Sequence, residues 1–261
     1  MVQVHNFSDG LFNPLIGYAL SCIGAFLGLR CVTRARAHSG RSRAGWLALA
    51  AVSVGATGIW AMHFVAMLGF SIPGQQIKYN IPETVASMLI AVAVVGIGLF
   101  IVGYSREGAL PLLAGGVIIG IGVATMHYMG MEAMVMTDTM RYNNFLVAVS
   151  VLIAIVAGTA ALWAGLRVRG LTATIVASLI MGVAVSGMHY TGMAAMHVYS
   201  GGMSGMSSMT DGGATAVSFL VPLLLGVSLV TFLLALTIAL SPTEDEILED
   251  ARLRSQLGGR V

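Results

Sequence analysis

Charge is what this sequence has least of. Only 9% of its 261 residues are Asp, Glu, Lys or Arg, while 57% are apolar; an average soluble domain carries roughly 25% charged residues. That scarcity excludes an ordinary water-soluble globule. Lys and Arg total 13 against 11 Asp and Glu, a net charge of +2, which is too small a surplus to predict a nucleic-acid partner. Cysteine is nearly absent. Cys22 and Cys31 are nine residues apart and fall on opposite faces of one helix, so no disulfide between them is expected. No thiolate cluster is present for zinc or an iron–sulfur centre. No Lys or Arg stands before the first apolar stretch, so the basic leader of a cleaved signal peptide is missing and that stretch is expected as a retained span. Paired carboxylates, a nucleophile beside a base and a phosphate-cradling glycine loop are also missing, so no enzyme is expected.

What the chain has is long apolar runs of about the 20 residues that cross a bilayer as a helix. They predict an all-α integral membrane protein with seven transmembrane helices, at about 11–31, 45–69, 84–104, 110–135, 145–166, 171–197 and 215–240. The membrane domain is then 1–242, and 243–261 is a short cytoplasmic tail. With the N-terminus outside, eleven of the 13 basic residues lie on the cytoplasmic side, and only Lys78 and Arg141 lie outside. This positive-inside bias predicts an N-out, C-in topology surrounded by membrane lipid.

An internal repeat runs through the second, fourth and sixth spans. Ala61-Met62-His63-Phe64-Val65-Ala66-Met67, Thr125-Met126-His127-Tyr128-Met129-Gly130-Met131 and Gly187-Met188-His189-Tyr190-Thr191-Gly192-Met193 share a small-Met-His-aromatic-x-small-Met pattern. The histidines are 64 and 62 residues apart, one helical hairpin each. Three parallel hairpins plus one N-terminal helix follow, related by rotation about the membrane normal.

A buried imidazole in a membrane helix is costly without a partner, and three at one depth ask for a common explanation. Each His is followed four residues later by a Met on the same helix face (His63/Met67, His127/Met131, His189/Met193). Imidazole with thioether favours copper, especially Cu(I). Met62, Met126 and Met188, with Met134, Met196 and His197, are candidate additional ligands. Glu132 is a candidate partner for an imidazole, and Tyr128 and Tyr190 are candidate hydrogen-bond donors to a bound diatomic. Met203, Met206 and Met209 form a candidate metal-capture loop. A purely structural seam, copper capture or transport, and a haem held by two of the histidines stay open as alternatives on these residues.

Met188-His189-Tyr190-Thr191 spells the signature of the MHYT domain, and the segments at His63 and His127 resemble degenerate copies of it. The resemblance covers the chain from the first to the seventh span. It implies a bacterial sensory domain of the cytoplasmic membrane that binds copper through the motif His and Met residues and senses oxygen, carbon monoxide or nitric oxide; a redox-active metal makes redox state an alternative signal. Many such proteins carry a cytoplasmic output domain after the last span. About twenty residues follow that span here, so the expectation is a signal passed to a cytoplasmic or membrane partner protein.

Overall fold

Each apolar run becomes a helix because, in hydrocarbon, every backbone N–H and C=O must find its partner within the segment. The computed structural model describes residues 4, 8, 10–73, 76–106, 108–136, 138–199 and 213–241. Seven of its helices are long and apolar enough to cross a membrane: α1 (Phe12–Ala37), α2 (Gly40–Leu68), α3 (Ile81–Tyr104), α4 (Ala109–Glu132), α5 (Asn144–Arg167), α6 (Leu171–Ala195) and α7 (Ala216–Leu240). The predicted spans fall on these helices, although α1 continues past its expected end at 31. Met203, Met206, Met209 and the segment 243–261 lie outside the described residues. Cys22 and Cys31 are both free thiols.

At one end of the bundle the turns are tight. Gly40 (φ 57°), the first residue of α2, and Gly170 (φ 78°), just ahead of α6, reverse the chain in a left-handed conformation that is cheap only without a Cβ. At the other end the outgoing helices start on side-chain caps. Asn80 accepts from the N–H of Glu83, Asn143 from those of Phe145 and Leu146, and Thr215 from that of Ser218. Two small antiparallel sheets cover this end. β1 (Lys78–Tyr79) lies between β2 (Met134–Val135) and β5 (Ala214–Thr215), and β3 (Thr139–Tyr142) pairs with β4 (Met196–Tyr199). The spans at 110–135 and 171–197 were expected to continue as helix where β2 and β4 begin. Strands of two to four residues show no periodicity by which a sequence could announce them.

The helices close a ring. α3 packs between α2 and α4, α5 between α4 and α6, and α1 between α6 and α2. The backbone repeats this arrangement three times. Asn80 N–H donates to Ala133 O (2.8 Å), Asn143 N–H to Ala195 O (2.8 Å) and Ser8 N–H to Gly69 O (2.9 Å). The sequence repeat pairs α2 with α3, α4 with α5 and α6 with α7; in the packed ring it is α1 that fills the third outer place. α7 lies against α1 and the middle of α2, joined by a Thr57–Thr231 hydroxyl pair at 2.6 Å.

Small residues allow the close approach. A Cβ on Gly24 of α1 would overlap the backbone of Gly58 on α2, and one on Gly120 of α4 would overlap the backbone of Ile155 on α5. Within α2, Ser53–Ala61 winds as a wider π-helix immediately before His63. Gly55 of that stretch packs against Val92 of α3 and Gly58 against Gly24 of α1, and such segments recur at functional sites.

Three arginines meet helix C-termini at the end of the bundle away from the sheets. Arg34 donates to Ile238 O (2.6 Å) and Ser241 O (3.2 Å) at the end of α7. Arg36 donates to Gly165 O (3.4 Å) and Leu166 O at the end of α5. Arg43 donates to Gly103 O at the end of α3, its guanidinium lying over the Tyr104 ring. The last carbonyls of a helix have no partner within it and carry the negative end of its dipole, so a cation there satisfies both.

Candidate metal centre

The histidines of the three motifs meet on the axis of the ring. His63 on α2, His127 on α4 and His189 on α6 are 1%, 1% and 2% exposed. Nδ1 of His63 is 3.0 Å from Nδ1 of His189 and 3.1 Å from Nδ1 of His127. The three ring centroids are 4.9, 5.0 and 5.1 Å apart, each pair edge to face. This is a three-bladed propeller with near threefold symmetry, and its ligand atoms all lie within 4.8 Å of one another.

Backbone glycine sets the spacing. A Cβ on Gly130 would stand 2.5 Å from Nε2 of His63, and one on Gly192 would overlap Nε2 of His127. Each glycine is the small residue of the next repeat's motif, three positions after that repeat's own histidine. The following aromatic then braces each ring from the side: His63 against Phe64, His127 against Tyr128 and His189 against Tyr190, at 4.8 to 4.9 Å and 80° to 89°.

Hydrogen bonding alone does not satisfy this cluster. A neutral imidazole has one donor and one acceptor nitrogen. With three Nδ1 atoms turned inward, a proton can bridge one pair at a time, and a remaining contact sets lone pair against lone pair. Among the described residues, Nε2 of His63 and Nε2 of His127 are buried without a hydrogen-bond partner. Buried polar atoms left in this state are expensive. A cation on the axis would take all three Nδ1 lone pairs and remove their mutual conflict; it would put the proton on each Nε2, and the fit therefore rests on the Nδ1 atoms, not on the unpartnered Nε2 atoms. Bonds of about 2.0 Å in a trigonal arrangement need the nitrogens about 3.5 Å apart, a small outward movement from the spacing seen. The donor set therefore fits a metal ion. A porphyrin held between two of the rings would have to part them, whereas they touch edge to face.

The other candidate residues divide into two groups. Met67, Met131 and Met193, one turn beyond the histidines, are buried, as are Met62, Met126 and Met188 beside them. Met134 on β2 and Met196 on β4 are buried in the same core cluster as Met67, Met131 and Met193. His197 is half-buried on β4 opposite Arg141, and its Nδ1–H donates to Ala195 O (3.2 Å). It is not one of the three clustered histidines. Glu132 is exposed at the end of α4, so the pairing with a buried imidazole envisaged for it is not formed. It stands instead near Tyr142, whose phenol is pushed up to about 12 by burial first and then by the Glu132 and Tyr128 charges. The Tyr128 hydroxyl is engaged by Ser150 Oγ at 2.7 Å on α5 rather than offered to the axis. That side-chain partner lies on another helix, and sequence reading had no signal for it. Ser150 in turn donates to Val147 O.

A family model described as MHYT, bacterial signalling protein N terminal repeat, matches residues 57–115, 120–178 and 182–247. The chain is 36% identical over 215 residues to the bifunctional diguanylate cyclase/cyclic di-GMP phosphodiesterase MucR of Pseudomonas aeruginosa, covering 79% of this chain and 31% of that protein. It is 38% identical over 187 residues to the cyclic di-GMP phosphodiesterase NbdA of the same organism, covering 69% and 24%. It is 30% identical over 183 residues to the signaling protein YkoW of Bacillus subtilis, covering 67% and 22%. The chain thus spans less than a third of the length of these relatives. No solved structure matches.

Proposed function

The chain belongs to the MHYT family of membrane signalling domains, and we propose that its histidine triad binds copper and serves as a sensory input for a diatomic gas or for redox state. The observation that carries this reading is the convergence of three buried Nδ1 atoms, one from each repeat. Copper is favoured over zinc by charge. Among the described residues no carboxylate or thiolate joins the cluster, so the site offers only neutral donors, and burying a monovalent ion costs far less than burying a divalent one. The adjacent thioethers, soft ligands that prefer Cu(I), point the same way. His63, His127 and His189 would hold the ion, with Met67, Met131 and Met193, one turn further along the same helices, as candidates for a further ligand. A copper ion there would supply an open coordination position or a one-electron change as the event to be sensed.

The sensory role is supported by the relatives, which are named as cyclic di-GMP enzymes and signalling proteins. The aligned part of this chain is the membrane domain, and we assign it a sensory rather than an enzymatic role. The charge bias favours a bacterial cytoplasmic membrane topology with the sheet-covered end outside and the arginine end in the cytoplasm. Copper capture and delivery is the weaker reading, because it leans on Met203, Met206 and Met209. Metal analysis on detergent-purified protein, with paramagnetic resonance after oxidation to Cu(II) because Cu(I) is silent, tests the proposal. Copper near one per chain, lost on changing His63, His127 and His189 together to Ala, is the expected result. A metal-free protein whose triple variant is only less stable would overturn it.

A further inference from the structure

Directly inward of the triad the ring encloses space. Ile59, Val123 and Val185 each precede a triad histidine by four residues, about one 5.4 Å turn, and all three line a cavity of about 60 Å³. Met188, the neighbour of His189, is also in its wall, whereas the three histidines are not, so the cavity approaches the triad to within about one helical turn without reaching it. The lining is almost wholly apolar. It exists because glycine and alanine, such as Gly158 on α5 and Ala50 on α2, stand where larger side chains would meet. The π-helical stretch before His63 contributes both Val54 and Ile59.

Water needs two to four polar partners to stay in such a space, and these walls offer almost none. A lipid chain is too large. An apolar cavity of ~150 Å³ binds benzene or xenon, and this one is less than half that size. A second cavity of about 210 Å³ shares Val32, Leu99, Leu162 and Gly165 with the first and reaches Arg36 and Arg43 at the other end of the bundle.

We infer that the central cavity is a binding site for a small uncharged molecule of diatomic size, which it holds one helical turn from the triad and receives from the arginine end. This places the gas site on the inner side of the metal, opposite the sheets. The inference rests on the metal reading for its purpose, though not for its test.

Xenon is the probe, applied under pressure to the detergent-purified full chain and read by xenon NMR and by electron density in crystals. The cavity is expected to take xenon in the unmodified protein and more strongly in Val123→Ala, which enlarges it. Val123→Phe and Ala161→Leu, which fill it, are expected to abolish the signal while metal content stays unchanged. Xenon absent from the unmodified cavity, or indifferent to Val123→Ala, overturns the inference even if a filled variant does not fold. Unchanged carbon monoxide binding in a filled variant that retains its metal overturns it equally. Because xenon needs no metal, failure here leaves the copper reading standing, and a triad without metal leaves the cavity standing.

Discussion

Gly130 and Gly192 show how little room the triad has. Each lies against an Nε2 atom, so a methyl group at either position must push a ring off the axis. Overpacking of this kind costs about 1–3 kcal/mol, roughly five- to 150-fold in metal affinity if the whole cost falls on the site. Gly130→Ala and Gly192→Ala are therefore expected to weaken metal binding, as read by competitive titration. Gly187→Ala, two residues before His189, meets nothing within 4 Å and is expected to leave binding unchanged. Equal behaviour of all three variants would contradict this account of the spacing. The histidines were legible in the sequence because the same letters recur around each one. The glycine contacts were not, since each joins residues more than sixty positions apart, and recurrence of a small residue does not reveal what it touches.

At the scale of elements, α7 is the helix held most lightly, with only 17% of its apolar window buried inside the protein. Leu234 and Ile238 do pack with Leu27, Cys31 and Ala50, and Arg34 secures its last turn. Hydrogen bonds from a charged donor contribute about 1.5–3 kcal/mol. Arg34→Ala is expected to lower thermal stability and to speed amide exchange in the last turn of α7 while α4 keeps its protection. Unchanged exchange at 234–241 would show that the arginine does not secure this end. The long helices were legible because twenty-residue apolar runs admit no other hydrogen-bonded form in lipid. The π-helical segment was not, because no residue pattern marks it, and its contact with Gly24 of α1 at Gly58 joins residues far apart in the chain.

For the whole molecule, the ring makes α1 a structural equivalent of α3 and α5, although no motif marks it. Ser8 donating to Gly69 O repeats what Asn80 and Asn143 do elsewhere with different residue types. Orientation is a property at this scale as well. Reporter fusions that are active only in the cytoplasm are expected to be active in the Arg106 turn and silent near Arg141. The reverse pattern would invert the proposed topology and place the gas cavity on the outer side of the metal. The sequence by itself determined the helices, their number and the recurring histidines, because hydropathy and recurring residue types are local properties written along the chain. Only the tertiary structure decided that the three imidazoles share one point, that Glu132 and the Tyr128 hydroxyl face elsewhere, and that a cavity lies beneath. Those depend on the rotation of each helix about its axis, which is fixed by the glycine-sized contacts between helices distant in sequence.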